Sequence, residues 1–286
     1  MLAVLTLAHG RHDHLRAQVA GLAAGVRRPD LHVVVAMDDP AVAQVAHRAW
    51  RAAGDPVPVL VEPLAADPLG LPLAAARNAA ARVATAAGAD RLVFLDVDCI
   101  PGPTTLTTYA RHLHPSPSRP SPAVLGADVA YLPPRQPGCG GWEHQLHRLA
   151  EVGVHRPDRV RPAPGETRAE PDLTRFWSLS FALTAADFAR TGGFCPLFVG
   201  YGGEDTDFAQ VVGSLGGSLT WVGGATAYHQ HHPTRTPPVD HVEAVVRNAG
   251  VFRDRWGWWP MLGWLEQLRE RGLAAPDGDG RWQVTR

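Results

Sequence analysis

The sequence contains no lysine, so each of its 27 basic side chains is an arginine. Without an ε-amino group the chain can form no Schiff base and has no lysine to grip phosphates from a P-loop. Isoleucine occurs once, as Ile100, a bias that fits GC-rich coding. The three cysteines, Cys99, Cys139 and Cys195, are odd in number and form no CxxC pair, so neither a disulfide framework nor a thiolate zinc site is expected, and the thiols should be reduced. There is no excess of either charge: the formal net charge is -1 and the pI near 6.9, which gives no electrostatic case for nucleic acid. No apolar run reaches the roughly 18 residues of a membrane span. The opening stretch MLAVLTLAHGRHDH is too short to span and has no basic region before it, so a soluble, cytoplasmic protein without a transmembrane anchor is expected. At 45% hydrophobic, the 286 residues suffice for one large core or two small ones.

Up to about residue 112, short apolar runs alternate with alanine-rich helical segments. LAVLTLA, LHVVVAMDD, PVPVLVEP and DRLVFLDVD read as strands, and LRAQVAGLAAG, AVAQVAHRAWRAAG and LPLAAARNAAARVATAAG as helices. Such alternation predicts an α/β fold with a parallel sheet and helices on its faces. Ligands of such sheets bind at the carboxyl ends of the strands, where this chain carries His9 to Arg11, Asp38 to Asp39 and Asp96 to Asp98. Residues 113–175 are rich in proline, arginine and glycine and predict loops. Residues 176–238 return to an apolar strand, a short helix and further strand-like sequence. Residues 239–286 read as a helical tail, with Trp256, Trp258, Trp259 and Trp264 at helical spacing, a pattern that predicts packing. No internal repeat is evident.

Three motifs carry chemistry. In LVFLDVDCIPG an apolar strand ends in two carboxylates one residue apart; on a strand Asp96 and Asp98 share a side, where one takes a ribose or water and the other a divalent cation. The alternative is a pair of turn-forming aspartates. In YGGEDTDFAQ, Glu204, Asp205 and Asp207 crowd behind two glycines and raise one another's pKa unless something answers them; a helix start would also place acids there. YHQHHP offers imidazoles to a borderline cation such as manganese, or is a solvated loop.

In this order, the Asp-Val-Asp strand end, the W.LSFALTAADFARTGGF segment, GYGGEDTDFAQ and a strand leading to a histidine resemble inverting GT-A glycosyltransferases. The nearest likeness is to family-2-like enzymes whose C-terminal segment resembles that of β-1,4-galactosyltransferases. The resemblance implies a GT-A nucleotide-sugar-binding sheet spanning the chain as one domain, with a nucleotide-binding half at 1–112, a loop region at 113–175, a catalytic half at 176–238 and the tail. It implies Asp98 as metal ligand, with His229 first and His231 second as the downstream histidine ligand, and Mn2+ or Mg2+ as the metal. Asp96 would lie near the donor ribose, Asp205 would be the catalytic base, and Glu204 would bind or orient the acceptor. Arg11, Asp38 and Arg77 with Asn78 would contact the nucleotide, and Gly202 and Gly203 would let backbone approach the sugar. The galactosyltransferase methionine ligand near the histidine has no counterpart here. Trp177 and Trp221 flank the motifs and are candidates for stacking on sugar, and Asp207 for capping the helix that follows.

The reaction implied is transfer of a sugar from a nucleotide diphosphate donor, most often a UDP-sugar, to a hydroxyl of a small metabolite, peptide or glycan precursor. Asp205 would take the acceptor proton, and the 113–175 region would shape the acceptor side or close over donor. One rival is a non-catalytic nucleotide-sugar-binding protein. Another is a haloacid-dehalogenase-like phosphohydrolase with Asp96 as nucleophile, which predicts an early motif and a downstream lysine; this chain has neither.

Overall fold

The computed structural model describes residues 1–54, 57–114, 121–135, 138 and 140–285; Cys139 and parts of the 113–175 stretch lie outside them. The predicted alternation is present: β1 (Leu2–Ala8), α1 (His12–Ala24), β2 (Leu31–Met37), α2 (Ala41–Ala52), β3 (Val59–Leu64), α3 (Leu73–Ala86) and β4 (Arg91–Leu95). β1 to β4 pair in parallel. β1 and β2 are buried at every position, as apolar strands covered on both faces must be. β3 is half-exposed at the sheet edge, where Pro63, lacking an N–H, is tolerated.

The chain continues through β5 (Cys99–Pro101), α4 (Thr105–His112), β6 (Ala123–Gly126), β7 (Val129–Tyr131), α5 (Leu149–Val152), β8 (Val154–His155) and β9 (Thr167–Glu170). It then forms β10 (Ser180–Thr184), α6 (Ala185–Thr191), α7 (Glu204–Ser214), β11 (Ser218–Val222), β12 (Ala227–His229), α8 (Val242–Trp256), α9 (Leu262–Glu270), β13 (Ala274–Pro276) and β14 (Trp282–Val284). Among the described residues one sheet has the order β3-β2-β1-β4-β10-β6-β11-β9, and a second, small sheet the order β5-β12-β7-β8. β10 runs antiparallel to both β4 and β6, so the start of β10 and the end of β4 meet on one rim.

Aromatic packing fixes one face of the large sheet. Phe94 stacks on Phe181 at 4.5 Å and Phe194 on Phe208 at 4.3 Å between centroids; each ring so buried contributes roughly 1.5–3 kcal/mol. The other face packs Leu15, Val19, Trp50 and Tyr109. Within that face the buried His32 accepts from Trp50 Nε1 at 3.0 Å and lies 3.1 Å from Thr6 Oγ1. Burial pushes its pKa down to about 3, so it stays neutral.

Four sequence expectations are corrected. β4 stops at Leu95, because Cys99 N donates to the Asp96 carbonyl at 2.8 Å and turns the chain. The 113–175 stretch supplies β6 and β9 to the large sheet. The run from Ser218 to Pro233 is two strands in different sheets, parted at Gly223 and Gly224. The tail is helical only to Glu270, after which β13 and β14 form an antiparallel hairpin. Among the described residues no helix is long and apolar enough to cross a membrane.

Candidate active site

The turn after β4 sends its two aspartates to different partners. Asp96 meets Arg77 of α3, whose Nη2 lies 3.4 Å from Oδ1, while Arg77 Nη1 donates to Glu204 Oε1 at 3.1 Å. Arg77 is thus a buried strut between the Asp-Val-Asp turn and the start of α7. Burial opposes its charge, but Asp96, Glu204 and Asp205 outweigh that and raise its pKa, and its guanidinium lies 5.1 Å from the Phe194 ring centre. Asp98 meets a different set of partners. Its Oδ2 is 3.3 Å from His232 Nε2, 3.6 Å from His229 Nε2 and 3.8 Å from Arg11 Nη1. The two aspartates, expected on one side of a strand, thus sit on a turn with separate partners, since a turn does not keep the alternation of a strand.

β12 delivers His229 by pairing antiparallel with β5, so that His229 is opposite Cys99. Past the strand, Gln230 N donates to the Asp98 carbonyl at 2.7 Å and Gln230 Nε2 to the His14 carbonyl at 3.0 Å. The chain then leaves strand geometry, so His231 is exposed while His232 returns to Asp98. His232 was missed in the sequence, where nothing separates the last two histidines of HQHH; the order of preference gave His231. Asp98, His229 and His232 each offer a ligand atom within 4.8 Å of the other two. Burial disfavours the Asp98 charge, yet the hydrogen bond from His232 and the nearby His229 and Arg11 hold its pKa down to about 2. Burial lowers the pKa of His229, leaving a neutral imidazole, the form that ligates.

A buried polar chain holds this turn in place. Gln18 of α1 accepts from Thr6 Oγ1 at 2.8 Å and donates to the Asp96 carbonyl at 2.7 Å and the Cys99 carbonyl at 3.2 Å. Thr6 in turn neighbours His32. Gln18 carried no signal in the sequence, since a single polar residue on an alanine-rich helix is usually solvated.

At the end of β1 and β2, His9 Nδ1 donates to the Met37 carbonyl at 2.7 Å, and Asp39 Oδ2 accepts from Gly10 N and from His12 Nε2, both at 2.8 Å. Asp39 is a clamp between two loops. Asp38 beside it is exposed, and both Asp38 and Arg11 hold positive φ, 47° and 51°. Such strain in residues other than glycine gathers where a ligand is held.

Glycines shape the start of α7. Gly202 and Gly203 both have φ 92°, which other residues adopt at an energetic penalty. A Cβ on Gly202 would lie 2.9 Å from Met261 Sδ, and one on Gly203 3.1 Å from the Phe198 ring; the close approach they permit is to this chain's own tail and core. Asn248 of α8 donates to the carbonyls of Val199, Tyr201 and Gly202 at 3.1, 3.3 and 2.8 Å, and Tyr201 stacks between His241 and Trp264. Asp205 follows, its Oδ1 accepting from Thr206 N at 2.7 Å. Burial, then the Glu204 charge, pushes its pKa up to about 7; burial likewise takes Asp96 to about 7 against the pull of Arg77.

Three further assignments change. Asp207 makes no cap: it is buried and accepts from Arg255 Nε at 2.6 Å and Trp256 Nε1 at 2.7 Å, tying α7 to α8. Asn78 clasps the backbone of Phe194, N–H and carbonyl, at 2.8 Å each. Trp221 is buried and donates to Glu170 Oε2 at 3.0 Å, whereas Trp177 is 36% exposed and lines a pocket. Of the tail tryptophans, Trp256 at the end of α8 packs on Phe252 and Trp258 in the turn beyond meets it edge-on, while Trp264 lies on α9, so the four pack without sharing the one helix that their spacing suggested.

Residues 166–234, which include Asp205, His229 and His232, match the family model described as the N-terminal domain of galactosyltransferase. Validoxylamine A glucosyltransferase of Streptomyces hygroscopicus is 34% identical over 172 residues, 54% of this chain and 38% of that protein; the chain therefore corresponds to well under half of that relative's length. Among solved structures, TarS 1-349 of S. aureus superposes with a TM-score of 0.56 at 14% identity, over 87% of this chain and 64% of that one. The mannosyltransferase PcManGT of Pyrobaculum calidifontis, in complex with GDP-Man and Mn2+, superposes with a TM-score of 0.55 at 16% identity, over 91% and 65%. Residues 166–234 thus match a galactosyltransferase family segment, part of the chain is homologous to a glucosyltransferase, and the architecture is the fold of the solved glycosyltransferases TarS and PcManGT.

Proposed function

We propose that this chain is a metal-dependent, inverting glycosyltransferase that moves a sugar from a nucleotide diphosphate donor, a UDP-sugar in the first instance, to an acceptor hydroxyl. The observation that supports the proposal is the Asp98, His229 and His232 cluster on a turn that Arg77 links to the helix start carrying Glu204 and Asp205. One carboxylate, Asp98, is kept ionised beside two imidazoles, and another, Asp205, is held near neutrality on a separate helix start. Environments that push acid pKa values apart are how one site runs two roles.

The donor set fits a divalent cation. One carboxylate oxygen and two imidazole nitrogens suit manganese or a similar borderline ion, and Asp98, His229 and His232 would hold it. When bound, the cation would offset the negative charge that develops on the departing nucleoside diphosphate. The rest is done by side chains. Asp205 accepts the proton of the acceptor hydroxyl as its oxygen forms the new bond to the anomeric carbon; the bond from that carbon to the diphosphate oxygen breaks, and the nucleoside diphosphate departs with the electron pair. Attack from the face opposite the leaving group inverts the anomeric centre. Glu204, fixed by Arg77, orients the acceptor. Arg11 and Asp38 at the β1 and β2 ends, with Asp96, hold the nucleotide, and Arg77 sets the Asp96 carboxylate that does so.

The test compares wild type with Asp205→Asn, an isosteric change that removes the base. Binding of donor with manganese should persist and turnover should fall by about 10²–10⁴-fold, the usual contribution of general base catalysis. A variant as active as wild type would remove Asp205 from this role, and a wild type inert with every acceptor would favour a nucleotide-sugar-binding protein.

A further inference from the structure

Beside the Asp98 centre, where the ends of β6 and β7 meet the start of β10, lies a shallow pocket open to solvent, whose wall includes Asp128, Tyr131, Arg156, Arg159, Trp177 and Leu179. It abuts the proposed metal centre, since the Tyr131 ring is 5.1 Å from that of His229. Trp177 holds two guanidinium groups, with Arg159 Cζ 3.7 Å and Arg156 Cζ 4.9 Å from its ring centre.

The charges there do not balance. Arg156 forks onto Asp158 at 3.1 and 3.2 Å. Asp128, the acid in the wall, is 2.6 Å from His155 Nδ1. Arg175 faces Glu170 at 3.2 Å. Arg159 alone of these has no carboxylate partner among the described residues; its Nη1 donates to the Arg175 carbonyl. Burial, then the charges of Arg156 and Arg175, lowers its pKa, with Asp158 a partial offset. A half-buried guanidinium fixed against an aromatic face, among like charges, is ready for an anion.

Resting on the glycosyltransferase reading, we propose that this pocket receives the acceptor and that the acceptor carries a phosphate or carboxylate group engaged by Arg159. The group and the hydroxyl that is glycosylated then lie on one molecule, the anion in the pocket and the hydroxyl toward Asp205. Neutral sugars would enter the pocket and leave Arg159 unanswered.

Calorimetric titration tests this with three matched probes, glucose, glucose 6-phosphate and glucuronate, on protein preloaded with UDP and manganese so that the nucleotide site is filled. At least one anionic probe should bind about tenfold or more tightly than glucose, as a charge-assisted contact predicts, and the better of the two names the group. Arg159→Gln should bind all three alike, and Arg82→Gln, an exposed change far along α3, should keep the preference. Arg159→Lys, which keeps charge without the fork, should keep part of it and covers the case in which the Gln variant fails to fold. Equal binding of the three probes to wild type, or a preference that survives Arg159→Gln, would overturn the proposal. Failure of UDP and manganese to bind in the preloading step would instead count against the glycosyltransferase reading, and the probes would then report on the pocket alone.

Discussion

Arg77 touches two acids that the sequence separates by 108 positions, and its role follows from burial rather than from any contact with solvent. Its side chain is 4% exposed and that of Glu204 9%, so removing the guanidinium leaves a buried carboxylate unanswered. Arg77→Leu should destabilise the protein by about 3–5 kcal/mol in urea unfolding, the usual result of breaking one side of a buried ion pair; a loss below about 1 kcal/mol would show that the pair is solvated. The sequence carried Arg77 as a residue against the nucleotide, since an arginine in an alanine-rich helix shows nothing of what it meets. Asp205 allows a second prediction at this scale. A base with a pKa near 7 must lose its proton before it can accept one, so kcat should rise with pH through about 7 and level off above it. A profile flat from pH 5.5 to 8 would contradict Asp205 as the titrating base.

At the scale of elements, the site is assembled by two joints that local sequence does not announce. One is the β5–β12 pairing, which brings His229 opposite Cys99 across some 130 residues of chain. The other is the packing of α8 on α7, where Asp207 receives Arg255 and Trp256 and Asn248 gathers three carbonyls of the glycine loop. Apolar periodicity located α7 and α8, but it could not say that the first-turn acid Asp207 points to α8. Asp207→Ala should therefore loosen α8 and the 199–203 loop together. Amide exchange in both segments should accelerate, with a stability loss of about 1–3 kcal/mol from unpaired partners. Exchange that changes only within α7 would mean that the joint is incidental. The histidines follow the same rule: strand alternation pairs His229 with His231, and the structure pairs His229 with His232 because the strand ends.

For the whole molecule, the parallel half was legible because strands buried on both faces read as continuous apolar runs, as in LAVLTLA and LHVVVAM. The second half was less so, because β6, β7, β8 and β9 are each four residues or shorter and lie among prolines and glycines, below what periodicity can resolve. Asp96 and Asp205 also set a property of the whole fold. Both carboxyls have folded pKa values near 7, above the ordinary 3.8, so the folded protein binds more protons than the unfolded chain between about pH 4 and 7. Their contribution to stability is present at low pH and is lost as pH rises through 7. Asp98, with its pKa depressed to about 2, contributes in the opposite sense, and only below pH 4. Metal-free protein should thus show a decline in stability from pH 5 to 8 that Asp96→Asn and Asp205→Asn each flatten; an unchanged slope in both would place the titration elsewhere.

The central claim is that a cation held by Asp98, His229 and His232 completes a nucleotide-sugar site. Thermal unfolding tests it most directly, with wild type, Asp98→Ala, His232→Ala and His231→Ala measured against UDP-glucose, UDP-GlcNAc and GDP-mannose, each with and without manganese. One donor should raise Tm only with metal, in wild type and His231→Ala but not in Asp98→Ala or His232→Ala, because a ligand stabilises the folded state only as far as it binds it. No metal-dependent shift with any donor, or a shift that survives loss of Asp98, would contradict the account.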